Sequence, residues 1–111
     1  MGKSQRSKGR KGQREFRRLL EDRDWQVAEL NGGTSVEDFW ATDEHGKTWS
    51  VEVKNTASIN VRAYRQQAMR QAGKMPWLLG CKIDGTSSWL ILRKAMKPVV
   101  WNEKQMEKTN D

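Results

Sequence analysis

The chain has 111 residues with 35% hydrophobic content, which is enough for one small domain and leaves no material for a second core. No run of 18 apolar residues occurs and no apolar segment follows the charged start, so we expect neither a membrane-spanning helix nor a secretory signal. The single cysteine excludes an internal disulfide and favours a reducing, cytoplasmic setting, while the net charge of +7 favours a polyanionic partner.

The positive charge is concentrated at one end of the chain. Residues 1–18 hold eight basic residues against Glu15 alone, whereas the remaining residues carry 13 basic and 13 acidic groups. This segment has no hydrophobic anchor for a lipid surface, so we predict that it binds nucleic acid. Its first part, residues 1–12, consists mainly of Gly, Lys, Arg and Ser and predicts a flexible basic arm. The basic residues expected to contact the DNA backbone are Lys8, Arg10, Lys11 and Arg14.

The first regular element is a predicted helix from about Gln13. Phe16, Leu19 and Leu20 recur at helical spacing. The segment "WQVAEL", residues 25–30, then alternates as a strand and ends at a loop signal, Asn31-Gly32-Gly33. The chain therefore begins with a helix followed by a strand.

The middle of the chain predicts a β-hairpin. Residues 36–42 and 47–54 are the two strands, and residues 43–46 are the turn. A helix is expected over residues 59–73, followed by strands over 77–83 and 89–95. Pro98 is expected to end the compact part.

These elements predict an α/β class with one small domain, in which a mixed sheet of about five strands is flanked by helices. The domain would cover residues 13–97, followed by a tail over 98–111.

Two carboxylates of the hairpin are expected to face each other. With the turn at 43–46, Asp38 lies opposite Glu52. Like charges at such a cross-strand pair repel unless a cation lies between them, and oxygen ligands suit Mg²⁺ or Mn²⁺. Lys54 shares a face with Glu52 and would orient a water or stabilise negative charge. This combination favours phosphodiester hydrolysis.

Asp38 followed after a β-turn by Glu52-Val53-Lys54 resembles the bipartite motif of PD-(D/E)XK nucleases. From about Ser7 to Lys94 the chain is most similar to Holliday-junction resolvases of the archaeal type, versions of which are also found in phages. The similar segments include "KGRKGQREFRRLL" and "VEDFWATDEHGKTWSVEVK". The resemblance implies a restriction-endonuclease-like fold and a homodimer that holds a four-way DNA junction.

The resemblance also implies residue roles. Asp38, Glu52 and the carbonyl of Val53 would bind the metal, and Lys54 would assist the attacking water. The family uses a glutamate in the first helix, for which Glu15 is the candidate as metal ligand and catalytic residue, with Gln13 as the alternative position. The remaining residues that the resemblance suggests as DNA contacts are Ser35, Arg62, Arg65 and Gln67.

The resulting hypothesis is a Mg²⁺-dependent endodeoxyribonuclease that resolves four-way junctions by paired symmetric nicks, in DNA recombination or repair. Two alternatives stay open. One is a VRR-type flap or repair nuclease of the same superfamily, and the other is a non-catalytic DNA-binding module with a nuclease-like fold.

The tryptophans are expected to differ in role. Trp25, Trp49, Trp77 and Trp89 lie among apolar neighbours and predict core packing. Trp40 is the tryptophan that we consider for a DNA or dimer contact.

Overall fold

The computed structural model of the protein describes residues 2–29 and 38–102, and for residues 2–8, Glu29 and Asp38 it describes the backbone alone. The elements are helix α1 (Gly2–Asp22), strands β1 (Gln26–Glu29), β2 (Asp38–Thr42) and β3 (Thr48–Lys54), helix α2 (Val61–Ala72), and strands β4 (Trp77–Lys82), β5 (Trp89–Arg93) and β6 (Val99–Trp101).

The six strands form one sheet in chain order. Neighbouring strands are antiparallel, except that β3 and β4 are parallel and are connected through α2. The predicted α/β class and mixed sheet are confirmed, but the sheet has six strands rather than about five. Among the described residues, no helix combines the length and the apolar character needed to cross a membrane.

The two helices cover opposite faces of the sheet. Phe16, Leu19 and Leu20 of α1 belong to the larger core cluster, which they share with Val51 and Ile91 on alternating strand positions. This packing explains the helical spacing of apolar residues in the sequence, because the same side of α1 must face the sheet along its length. The larger core therefore lies between α1 and the sheet.

The second face of the sheet carries α2. Ala68 and Ala72 of α2 pack with Trp77, Leu79 and Cys81, which all point to this side of β4. The helix begins after Asn60, whose side-chain oxygen accepts a hydrogen bond from the Ala63 amide at 3.1 Å. The small alanines allow α2 to lie close to the strands.

The prediction of a flexible arm over residues 1–12 was wrong, because α1 begins at Gly2 rather than near Gln13. Lys, Arg and Gln are good helix formers, and a helix whose second half is already packed can extend past Gly9 without a new nucleation step. Gly12 does not interrupt α1. It is a contact position, because a Cβ there would lie 2.5 Å from the Cβ of Asn55.

The predicted tail from residue 98 was also wrong for residues 99–101, which form β6 beside β5. Trp101 is 7% exposed, and its ring meets that of Trp25 edge-on with centroids 6.2 Å apart. A tryptophan buries enough apolar surface to hold a three-residue strand in place. Residues 103–111 of the predicted tail lie outside the described residues.

Candidate active site

The turn of the β2–β3 hairpin is held by the carboxylate of Asp43. Its oxygens accept hydrogen bonds from the amides of His45 and Lys47, both at 2.9 Å, and from the indole N–H of Trp49 at 3.0 Å. Burial acts to raise the pKa of Asp43, but these hydrogen bonds outweigh it and hold that pKa below its usual value. Gly46 completes the turn with φ +84°.

This turn determines the register of the hairpin. Thr42 pairs with Thr48 next to the turn, and at the other end of β2 the backbone of Asp38 pairs with that of Glu52. The cross-strand pairing predicted from the position of the turn is confirmed. A shift of one residue would have placed Asp38 beside Val51 or Val53 instead.

Glu52 is the only charged residue among the buried residues that the structure describes, with 1% exposure. Its Oε1 lies 3.3 Å from the Nζ of Lys54, whose side chain is 17% exposed. Both side chains project from the α2 face of the sheet, since they alternate with Val51, which belongs to the core under α1. The structure thus brings the predicted pair Glu52 and Lys54 together at the end of β3.

Tyr64 of α2 completes the surroundings of Lys54. The ammonium of Lys54 lies 5.2 Å from the centroid of the Tyr64 ring, and the tyrosine hydroxyl is hydrogen-bonded to Thr56 at 3.2 Å. A cation over an aromatic face is attracted to it, so the ring helps to hold the ammonium beside Glu52. Tyr64 escaped the sequence interpretation because a lone tyrosine in a helix carries no spacing signal.

Cys81 lies next to Lys54 in the pairing of β3 with β4 and is fully buried. Burial raises the pKa of its thiol to about 11, with the nearby ammonium of Lys54 acting in the opposite direction. A thiol with such a pKa remains protonated at neutral pH. Cys81 is therefore an apolar wall of the site.

Glu15, the candidate from the first helix, is placed elsewhere. Its carboxylate is paired with the ammonium of Lys82. A Cβ on Gly80 would meet the Phe16 ring, so this position of β4 faces α1. Lys82 is two residues later in the same strand and therefore points to the same face. Glu15 is therefore on the α1 face, whereas Glu52 and Lys54 are on the α2 face. Gln13, the alternative position, is half-buried on the same helix.

The candidate DNA contacts on α2 lie in its first two turns. Arg62 and Arg65 are exposed and Gln67 is half-buried. The guanidinium of Arg65 lies 5.9 Å from the centroid of the Trp77 ring, at the end of β4 remote from Lys54. The structure thus places Arg65 away from the Glu52–Lys54 end of the sheet.

The remaining predicted contacts are at the start of the chain and in the loop before β2. Arg10, Lys11 and Arg14 are exposed on α1. The side chain of Lys8 is not described, and Ser35 lies outside the described residues.

The core packing predicted for four of the tryptophans is confirmed. Trp25, Trp49, Trp77 and Trp89 are buried, and Trp40 is 42% exposed on β2, where it pairs with Ser50. Trp40 thus remains open to a DNA strand or to a second subunit.

The donor groups at this end of the hairpin fit a hard divalent cation. The carboxylate of Glu52 and the backbone carbonyl of Val53 are oxygen donors, the class that Mg²⁺ and Mn²⁺ prefer. Among the side chains that the structure describes, no three His, Cys, Asp or Glu residues cluster as metal ligands. Asp38, the other carboxylate predicted as a ligand, has its backbone paired with that of Glu52 at this end of the hairpin.

No protein-family model matches the chain, and no curated protein matches it at a significant level.

Proposed function

We propose that the protein is a metal-dependent, structure-selective endodeoxyribonuclease that cuts four-way DNA junctions by paired symmetric nicks. The observation that supports this most strongly is the end of the hairpin, where Asp38 and Glu52 are backbone partners and the ammonium of Lys54 lies 3.3 Å from Glu52. A buried carboxylate with a neighbouring ammonium, facing a second acidic position, is the arrangement that phosphodiester hydrolysis needs.

The carboxylates of Asp38 and Glu52 and the carbonyl of Val53 would hold Mg²⁺, with Mn²⁺ as a substitute. When bound, the ion lowers the pKa of a coordinated water and polarises a phosphate oxygen. Burial of Glu52 contributes by excluding bulk water, which strengthens each electrostatic interaction at the site. The role of Glu15 as a fourth ligand stays a prediction.

Lys54 acts on the phosphate and on the water. Its side chain is partly exposed, so we expect the ammonium to donate a hydrogen bond outward while staying beside Glu52. In the reaction the water oxygen bonds to phosphorus and the bond from phosphorus to the leaving oxygen breaks, while the water loses a proton to solvent and the leaving oxygen takes one up. Negative charge grows on the phosphate oxygens in this step, and a fixed ammonium stabilises it.

Junction selectivity would come from shape rather than base sequence. A homodimer with two-fold symmetry matches a four-way junction, which presents two equivalent strands for cutting. The exposed Trp40 is a candidate for the contact with the second subunit or with DNA. We place the reaction in the cytoplasm, which for a phage protein is that of the host cell.

The test compares labelled four-way junctions, flaps and plain duplex in Mg²⁺ and in EDTA. The wild-type protein should introduce paired nicks into the junction only with Mg²⁺. Asp38→Asn should reduce the rate by more than about a hundredfold. The loss of a residue that only supports a metal ligand costs about 10- to 100-fold, so a larger loss indicates that Asp38 binds the metal itself. Glu21→Gln removes the same charge from an exposed position of α1 and should leave the rate unchanged.

Other outcomes would redirect the proposal. Preferential cutting of flaps supports the VRR-type nuclease instead. Junction binding without cleavage in both Mg²⁺ and Mn²⁺ supports the non-catalytic DNA-binding module. One observation favours that module, because Glu15 is engaged with Lys82 on the other face of the sheet.

A further inference from the structure

A groove lies between α1 and the turn that connects β4 to β5, with a volume of about 650 Å³. One wall is formed by Lys11, Arg14, Glu15 and Arg18 of α1. The other is formed by Lys82 and by residues 85–87 of the turn. We call this feature the α1–turn groove. It is separate from the Glu52–Lys54 site, which lies on the α2 face.

The groove has a strong excess of positive charge. Lys11, Arg14 and Arg18 are exposed and recur at i, i+3 and i+7, so they form a row along one side of α1. Glu15 is the single acidic residue of the lining, and its carboxylate is already paired with Lys82. Three basic side chains of α1 are therefore available to an anion.

The spacing of this row suits a nucleic-acid backbone. Lys11 and Arg18 are seven positions apart, which corresponds to about 10.5 Å along the helix axis. Successive phosphates of one strand of B-form DNA advance by about 3.4 Å along the duplex axis, so the row covers about three of them. A small anion would need only one of these side chains.

The groove also adjoins the candidate active site. Lys54 at the end of β3 pairs with Cys81, and Lys82 of the groove is the next residue. Because β3 and β4 are parallel, both strands end at the same edge of the sheet, and neighbouring strands are about 4.8 Å apart. DNA that crosses this edge can reach the site on the α2 side and the groove on the α1 side.

We propose that the α1–turn groove binds the phosphate backbone of DNA beside the segment held at the Glu52–Lys54 site. This inference deepens the proposed function and rests on it for the identity of the ligand. It adds Arg18 to the basic residues chosen from the sequence and gives Lys11 and Arg14 a defined surface. The groove provides affinity without base reading, because its walls offer charge rather than a fixed pattern of base contacts.

The test measures the affinity for a four-way DNA junction in EDTA as a function of salt. The groove variant combines Lys11→Gln, Arg14→Gln and Arg18→Gln, which remove three charges and keep good helix formers in α1. The matched control combines Lys74→Gln, Lys94→Gln and Lys97→Gln, all at exposed positions outside the groove lining. Circular dichroism checks that both variants are folded.

We expect the slope of log affinity against log salt to become shallower by up to about 2.7 in the groove variant. The loss of affinity at 0.1 M salt would then be up to about 500-fold greater than the loss at 1 M salt. The control should change the slope by less than one third of that amount. Equal losses in the two variants would overturn the proposal, because net charge alone would explain them. EDTA makes this result independent of whether the protein cleaves DNA.

A second variant tests the groove in the opposite direction. Glu15→Gln removes the acidic residue and releases Lys82 for one further phosphate contact. The gain in junction affinity at 0.1 M salt should then be about eightfold greater than the gain at 1 M salt. Glu21→Gln makes the same change of net charge outside the groove lining. Unchanged or weaker binding by Glu15→Gln, or equal tightening by both variants, would contradict the assignment.

Discussion

Replacing Lys54 with methionine is expected to destabilise the fold, because it removes the cation beside a buried carboxylate. The Nζ of Lys54 lies 3.3 Å from the Oε1 of Glu52, and the Glu52 side chain is 1% exposed. At an effective dielectric constant of 20, opposite charges at this distance attract by about 5 kcal/mol. Methionine keeps an unbranched apolar stem, so the packing against Tyr64 changes little.

We expect Lys54→Met to lower the free energy of unfolding by about 3 kcal/mol at pH 7 in EDTA. This is the lower end of the range for breaking a buried ion pair, because the lysine side chain is partly exposed. The double variant Glu52→Gln with Lys54→Met should recover at least about 2 kcal/mol of the loss, since no buried carboxylate then lacks its neighbouring cation.

The assay is urea unfolding followed by tryptophan fluorescence, because the chain has six tryptophans and several are buried in the core. Lys47→Met is the matched control. Lys47 is exposed and its ammonium lies 4.4 Å from the Trp49 ring centroid, so its removal should cost less than about 1 kcal/mol. The reasoning is refuted if Lys54→Met costs no more than this control, or if the double variant is no more stable than Lys54→Met.

Three further predictions concern packing and pH. Gly80→Ala should cost about 1–3 kcal/mol in urea unfolding, because the added Cβ would lie 2.6 Å from the Phe16 ring, and adding Phe16→Leu should reduce that cost. The pKa of Cys81 is raised to about 11 in the folded protein, so between pH 9 and 11 the thiol ionises in the unfolded chain but not in the folded one. The free energy of unfolding of the wild type should therefore fall over this range by about 1.4 kcal/mol per pH unit relative to that of Cys81→Ala. Parallel pH curves for the two proteins would contradict this. The hydrogen bonds to the ionised carboxylate of Asp43 lower its pKa in the folded protein. Their stabilising effect is therefore present above the pKa of this carboxyl in the unfolded chain and is lost as the pH falls through its folded pKa. Asp43→Asn should thus cost about 1–3 kcal/mol at pH 7 and less at pH 2, and an equal cost at both would exclude the carboxylate's role.

The sequence by itself was sufficient for the hairpin and for the pairing of Asp38 with Glu52. Strand alternation and turn residues act over short distances, so the position of one turn determines every pair along both strands. The apolar spacing of Phe16, Leu19 and Leu20 likewise predicted a core-facing side of α1, because helical periodicity is a local property.

The start of α1 and the sixth strand depended on tertiary structure. Residues 1–12 have no apolar periodicity, and the continuation of the helix depends on the packed turns that follow it. The three residues of β6 are too few for a periodic signal, and their place beside β5 depends on the burial of Trp101 in a core formed by distant segments.

Tertiary structure also decided which charged groups are neighbours. Glu15 and Lys82 are 67 positions apart in the chain, and no local pattern predicts that α1 brings them together. The same holds for Tyr64 beside Lys54 and for the groove that α1 forms with the β4–β5 turn. Local periodicity determines which side of an element is apolar, whereas ion pairs and grooves depend on how the elements pack in three dimensions.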